Sequence, residues 1–148
     1  MFDKTMLILH MDNVLGPGVE LIDVDKFKQE DICYSLTRSV EPDACPNSLG
    51  SAHCGRPYVG SHDVFVFSLK KKRSIFDFTP LDFNGDTNGQ ENVLIWFFQN
   101  VLGYRVSNPC KVINIYHQHC SRIHTSFSTG RVNNNGRSGT AGYTDQLF

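Results

Sequence analysis

The fold of this chain is decided by residues 62–69, which read His-Asp-Val-Phe-Val-Phe-Ser-Leu. Successive side chains of an extended strand point to opposite faces, so Val64 and Val66 share one face while Phe65 and Phe67 share the other. Both faces are therefore apolar, a pattern typical of a central strand that other elements cover on both sides. We expect an α/β domain with this strand in the middle of its sheet.

The next strong pattern along the chain is a helix expected at residues 90–102. Turn-forming residues precede it, and Asn88 or Gly89 can cap its first turn. Gly103 follows where a left-handed residue commonly ends a helix. The helix interior, Val93 to Phe98, is apolar on nearly all sides, so the helix should pack deeply into the core.

Further extended segments, a loop and a tail surround these two elements. Strands or extended segments are expected at residues 4–9, where the strand should be buried, and at residues 31–40, 104–106 and 111–119. The stretch 41–58, which is rich in turn-forming residues, is expected to be a long loop. We expect one domain over residues 1–124. Ser, Thr, Gly and Asn dominate residues 125–148, which we expect to be a disordered tail.

The composition is that of a globular protein and excludes several classes of function. The formal net charge of the 148 residues is −1, so bulk charge gives no attraction to nucleic acid or to an acidic membrane. The longest apolar run, Val93 to Phe98, is too short to cross a bilayer, and the residues after Met1 lack the pattern of a signal peptide. We expect no nucleic-acid partner and no membrane segment in this chain, and no compartment is indicated.

The five cysteines constrain the covalent structure. Their odd number leaves at least one cysteine unpaired within the chain. Cys45 and Cys54 flank a short turn-rich stretch and can close it by a disulfide in an oxidising compartment. No Cys-x-x-Cys pair occurs, so the zinc-site pattern that rests on such pairs is missing.

Two candidate metal sites lie at predicted extended segments. Asp12 follows the first strand, and His10 lies on the same side of an extended chain, a spacing that can hold a divalent cation. The alternative is an aspartate that caps a turn. His117 and His119 likewise share one face and can bind a metal or a phosphate. The alternative there is a pair of surface histidines.

Two further carboxylates are candidates for chemistry on a sugar. Glu91, followed by Asn92, begins the apolar helix, where the positive end of the helix dipole keeps a carboxylate ionised. An ionised carboxylate over a hydroxyl is a suitable general base, although Glu91 can also serve only to stabilise the helix. Asp63, at the entrance to the central strand, can accept hydrogen bonds from a sugar, or it belongs simply to the turn before that strand.

These elements stand in an order that resembles a group of poorly characterised glycosyltransferase-like proteins of the GT-A type. The matching elements are Tyr58-Val-Gly-Ser-His-Asp-Val-Phe-Val-Phe67, Gly89-Gln-Glu-Asn-Val93, Gly103-Tyr-Arg-Val-Ser-Asn-Pro109, His117-Gln-His-Cys-Ser121, Leu9-His-Met-Asp12 and Tyr34-Ser-Leu-Thr-Arg38. The resemblance covers roughly residues 7–122. It implies a partial GT-A-like mixed sheet with flanking helices, in which the N-terminal nucleotide-binding portion is largely missing.

The resemblance also implies a reaction and a set of site residues. The reaction is an inverting, metal-dependent transfer of a sugar from a nucleotide sugar to a glycan or another hydroxyl acceptor. The implied roles are a general base at Glu91, Mn²⁺ or Mg²⁺ ligands at Asp12, His117 and His119, and acceptor-side contacts at Asp63, Arg38 and Asn92. With most of the donor half missing, we expect low or no activity of the chain alone, and exposed sheet edges and apolar surface.

Two alternatives stay open at this point. One is a non-catalytic remnant that binds carbohydrate or a partner, in which Asp63, Glu91 and the histidines are structural. The other is a small metal-binding module built on Cys45, His53, Cys54 and the pair of histidines at 117 and 119.

Overall fold

A computed structural model of the protein describes residues 4–9, 13–39, 54–55, 62–69, 78–83, 87–117, 132 and 135–148. Within these ranges the chain forms a mixed α/β fold with two sheets and two α-helices. The strands are β1 (Thr5–Leu9), β2 (Asn13–Leu15), β3 (Ile32–Leu36), β4 (Val64–Ser68), β5 (Arg105–Ser107) and β6 (Ile115–His117); the helices are α1 (Val24–Gln29) and α2 (Gln90–Asn100). Short 3₁₀ turns occupy Val19–Leu21 and Thr79–Leu81.

The larger sheet is mixed and has the strand order β1-β4-β3-β5. Strand β4 pairs antiparallel with β1 and β3, while β3 pairs parallel with β5. All five residues of β4 are buried, and its valines and phenylalanines belong to two different core clusters. The prediction of a central strand covered on both faces is therefore confirmed. Strands β2 and β6 form a separate antiparallel pair.

Helix α2 covers the phenylalanine face of β4. It begins after Gly89, whose φ of 85° is left-handed, and Gly103 beyond its end has a φ of 72°, as the sequence predicts for a glycine that ends a helix. The Phe98 ring lies 4.7 Å from the Phe67 ring between centroids. The Tyr104 hydroxyl donates to the Ser68 carbonyl at 2.6 Å and so fixes the chain after α2 to the end of β4.

Helix α1 covers the opposite, valine face. The Asp23 carboxylate caps its first turn by accepting from the amides of Asp25 and Lys26, both at 3.0 Å. Phe27 on this helix is buried and meets the Tyr34 ring edge-on at 4.8 Å between centroids. The sheet is thus buried between α2 on one side and α1 with the β6 region on the other.

Strand β1 forms where the sequence predicts a strand, but the expectation that it is buried was wrong. It lies at the edge of the sheet, where it pairs only with β4 among the described strands. Its four large apolar side chains keep about two-fifths of their surface exposed: Met6 39%, Leu7 38%, Ile8 43% and Leu9 39%. Both faces are exposed equally because no strand lies beyond β1 in the described part of the chain.

The C-terminal strap, residues 137–148, packs against the domain. Residues 135–148 therefore differ from the expected disorder of the tail. The Gly139 amide donates to the Asn92 carbonyl at 2.8 Å, and the Asn92 side-chain amide donates back to the Gly139 carbonyl at 3.1 Å. Ala141 is fully buried, and the Phe148 amide donates to the Tyr34 hydroxyl at 2.9 Å. The small residues Gly139 and Ala141 allow the strap to approach α2 closely. A prediction of disorder from composition alone does not take such packing into account.

A disulfide joins Cys54 to Cys110, with 5.9 Å between their Cα atoms. The expected pairing of Cys54 with Cys45 is therefore wrong, because Cys54 is held at the end of β3, where its amide donates to the Arg38 carbonyl at 3.2 Å. A disulfide sulfur cannot serve as a zinc thiolate, so the metal-binding module loses one of its proposed ligands.

Among the helices described, none is long and apolar enough to span a bilayer.

Candidate functional site

The candidate site lies where β3 ends and β4 begins. These strands are antiparallel, and Leu36 pairs with Val64, so the residue after β3 and the residue before β4 meet at one end of the sheet. The Asp63 amide donates to the Leu36 carbonyl at 2.8 Å, which extends this pairing by one bond. At this end of the sheet Asp63 lies next to Arg38, as the sequence-based assignment of both residues to one site requires.

Asp63 is a buried carboxylate with a cationic neighbour. Its side chain is 6% exposed, and Oδ2 accepts from the Arg38 backbone amide at 3.1 Å. The Arg38 guanidinium lies behind it, with Nη1 3.7 Å from Oδ1. A buried carboxylate is tolerated in a protein when such donors compensate the loss of water. Arg38 therefore holds the carboxylate in place.

Asp63 and Glu91 line the same cavity, which has a volume of about 260 Å³. Glu91 reaches the cavity from the first turn of α2, and the remaining wall is mainly apolar. The lining residues are Ile8, Asp63, Phe65, Phe83, Gln90, Glu91 and Leu94. Small-molecule sites typically enclose roughly 300–1,000 Å³. The volume of this cavity is slightly below that range.

Neither Arg38 nor Asn92 lines this cavity. Arg38 supports Asp63 from behind, and the Asn92 side chain binds the Gly139 carbonyl of the C-terminal strap. Consecutive helical residues are rotated by about 100°, so Asn92 faces a different side of α2 from Glu91. Of the three residues assigned to acceptor contacts, Asp63 is the one that the structure brings to the cavity.

The structure describes only part of the proposed metal site. In the β2–β6 pair, His117 lies opposite Asn13 by backbone register. The position of the His117 side chain is not described, and Asp12 and His119 lie outside the described residues. Within the described ranges there is no group of three His, Cys, Asp or Glu residues that could hold a metal ion.

A buried polar network supports the same end of the sheet, and sequence reasoning missed it. The Thr37 amide donates to Asn108 Oδ1 at 3.2 Å, and Asn108 Nδ2 donates to Thr37 Oγ1 at 2.7 Å. Both residues are fully buried. Burial raises the pKa of the nearby Tyr143, although a hydrogen bond with the Thr37 side chain opposes that rise. The sequence feature that could have indicated this network is the polar residue Thr37 directly after an apolar strand.

Two further residues at this junction were also missed. Asn13 is 6% exposed, and its Nδ2 donates to the Asp63 backbone carbonyl at 3.2 Å, which ties the β2–β6 pair to the start of β4. His62 is fully buried, and its Nδ1 lies 3.1 Å from the Ser35 carbonyl. A carbonyl oxygen only accepts, so Nδ1 carries a proton in this contact. These bonds attach residues 62 and 63 to β3 and to β2.

Comparisons of the chain with protein-family models, with curated proteins and with solved structures found no match. A cavity with two carboxylates and an apolar wall can bind a polar ring through its hydroxyl groups and pack against its less polar face. Either carboxylate can also accept a proton from a bound hydroxyl.

Proposed function

We propose that this protein is a glycosyltransferase-like domain of partial GT-A type, and that its cavity binds the hydroxyl acceptor of a sugar transfer. The observation that carries this proposal is that Asp63 and Glu91 line one cavity. The resemblance of the sequence assigned the first of these residues to the acceptor and the second to catalysis. Two residues from separate motifs that meet in one cavity support a shared role.

In the proposed reaction, Glu91 removes the proton from the acceptor hydroxyl. The acceptor oxygen attacks the anomeric carbon of the donor sugar and forms a new C–O bond. The bond from that carbon to the donor's diphosphate breaks, and the nucleoside diphosphate leaves with the electron pair. Attack from the face opposite the leaving group inverts the configuration at the anomeric carbon.

The other residues of the cavity position the acceptor. Asp63 accepts a hydrogen bond from a second hydroxyl of the ring, and Arg38 and the bond from Asn13 hold Asp63 in place. Phe65 and Phe83 provide apolar surface for the C–H groups of the ring. A divalent cation at Asp12, His117 and His119 remains a proposal from the sequence; its chemistry would be to neutralise charge on the leaving diphosphate.

The proposal is tested first by calorimetric titration of the purified chain with UDP and with GDP, each with and without Mn²⁺. Weak, Mn²⁺-dependent binding of one of these nucleotides is the expected result. Release of nucleoside diphosphate from the matching nucleotide sugars is then measured with a panel of saccharide acceptors. Absence of metal-dependent nucleotide binding would remove the assignment to the glycosyltransferase class.

The role of Glu91 is tested with the isosteric substitution Glu91→Gln. In a protein that also supplies the donor-binding half, general-base catalysis contributes about 10²–10⁴-fold, so turnover is expected to fall by at least about 100-fold while nucleotide affinity stays unchanged. Asp82→Asn is the matched control, because Asp82 is exposed and does not line the cavity. Turnover of Glu91→Gln at the level of the control would show that Glu91 is not the base.

A further inference from the structure

We infer that two copies of this chain associate through their β1 strands, which pair antiparallel about Leu7 to form one continuous eight-stranded sheet. This inference does not depend on the proposed function. Its first basis is the position of β1, an edge strand whose four large apolar side chains are exposed on both faces. Native edge strands usually carry charges, proline or bulges that prevent pairing, and Thr5–Leu9 contains none of these.

The sequence of β1 is complementary to itself. In an antiparallel pair centred on Leu7, Leu7 faces its own copy, Met6 faces Ile8, and Thr5 faces Leu9. Residues directly opposite each other share a face of the sheet, so every large apolar side chain of β1 meets another side chain of the second copy. The charged residue before the strand, Lys4, falls at opposite ends of the pair. In a parallel pair the two Lys4 residues would lie side by side.

The other edge of the sheet is protected, which favours a closed dimer over an open chain of subunits. Strand β5 has only three residues, and the Arg105 guanidinium projects from it to pair with Glu30 at 2.8 Å. The same guanidinium lies 3.9 Å from the centroid of the Phe148 ring. The next residue after β5, Asn108, pairs with Tyr143 of the C-terminal strap. A pair formed between identical β1 edges therefore leaves no equivalent edge for a third copy among the described strands of this sheet.

Open space adjoins β1 on both faces of the sheet. On the valine face a cavity of about 480 Å³ lies between β1 and α1, lined by Leu7, Val66 and Val24 among other residues. Leu7 of the second copy would lie at the rim of this cavity. On the phenylalanine face Ile8 lines the candidate functional site.

Dimer formation would also change the candidate site. Met6 of the second copy would pack beside Ile8 and extend the apolar wall of the cavity. The two-fold axis is perpendicular to the sheet, so both cavities open on the same face. The two Ile8 side chains lie diagonally across the pair, at about 7–8 Å. Each cavity is therefore completed by a residue of the other copy.

Analytical ultracentrifugation of the wild-type chain tests the association directly. The expected species has twice the mass of the 16.7 kDa chain. A species of 16.7 kDa throughout the micromolar range overturns the inference, and so does a continuous series of larger assemblies. This measurement needs no variant and is therefore independent of any effect of mutation on folding.

The register is tested by disulfide cross-linking of two matched variants, Leu7→Cys and Leu9→Cys. Both leucines lie on the same face of β1 and are equally exposed, 38% and 39%. Residues that face each other across antiparallel strands have Cα atoms about 4.5–5.5 Å apart, within the reach of a disulfide. The two Leu9 positions are four residues out of register, about 14 Å apart, which is too far.

Under mild oxidation, Leu7→Cys is expected to form at least about ten times more covalent dimer than Leu9→Cys, since only the first pair meets the distance requirement. The wild-type chain gives the baseline amount of covalent dimer that forms through the cysteines already present in the sequence. Equal cross-linking of both variants indicates a parallel pair and overturns the register. Cross-linking of Leu9→Cys alone, or of neither variant, overturns the proposed interface.

Discussion

Replacing Gly139 with alanine is expected to detach the C-terminal strap from α2. A Cβ atom at this position would overlap the backbone nitrogen of Trp96 and come within 2.7 Å of Ile95 Cγ2. Contact with a backbone atom inside a helix cannot be relieved by rotation of a side chain. The strap must therefore move away from α2, and the bonds between Gly139 and Asn92 must break.

The magnitude follows from the contacts that would be lost. The two hydrogen bonds between Gly139 and Asn92 are worth about 1 kcal/mol each. Exposure of the buried methyl group of Ala141 adds about 0.8 kcal/mol. The expected loss in the free energy of unfolding is therefore about 3 kcal/mol, which is a large fraction of the stability of a typical domain.

Urea unfolding and intrinsic fluorescence provide the assay. Trp96 is the only tryptophan of the chain, and it lies against Gly139, with the Arg137 guanidinium 5.7 Å from its ring. Its emission should shift to the red in Gly139→Ala before unfolding begins. Gly142→Ala is the matched control within the same strap, because a Cβ there would meet nothing within 4 Å. If both variants have the same midpoint and the same native emission, the strap does not depend on close contact at Gly139.

Two other predictions concern the cysteines. Burial raises the pKa of the Cys33 thiol, so the folded chain keeps this proton at a pH where the unfolded chain has released it. The free energy of unfolding should therefore fall as pH rises above the ordinary thiol pKa of 9.0, by up to about 1.4 kcal/mol per pH unit, and Cys33→Ala should make this fall less steep. If urea titrations give the same dependence on pH for the wild type and for Cys33→Ala, the Cys33 thiol is not the cause of the fall. The disulfide between Cys54 and Cys110 closes a loop with a sequence separation of 56, so its loss in Cys54→Ser should cost about 4 kcal/mol. An unchanged urea midpoint would show that this bond does not constrain the unfolded chain.

The core of the fold could be predicted from local patterns, whereas the position of elements in the sheet could not. Alternation in residues 62–69 identifies a strand buried on both faces, because burial of a face requires apolar side chains on it. Residues 5–9 have the same apolar character, yet β1 lies at the edge. The apolar pattern of a strand indicates which of its side chains can be buried. The position of the strand in the sheet, which depends on pairing with other segments of the chain, determines which of them are buried.

The candidate site was predictable to the extent that the start of β4 and the start of α2 meet. Asp63 and Glu91 both reach the cavity. Asn92, one residue further along α2, is rotated towards Gly139, a partner that is distant in sequence. A polar residue next to a cavity-lining residue in sequence can thus belong to a different face of a helix. The network of Thr37 and Asn108 depends likewise on long-range packing, which no local pattern contains.

The position of the C-terminal strap affects how the domain folds while it is synthesised on the ribosome. Gly139 and Ala141 leave the ribosome after α2 and both strands of the β3–β5 pair have emerged. Until then the side of α2 that carries Asn92 and Trp96 lacks its cover, and the growing chain exposes that surface to the cell. The core can therefore be completed only after residues 137–148 have left the ribosome, and slow translation of these residues would lengthen the period in which the nascent domain is open to chaperones and to aggregation.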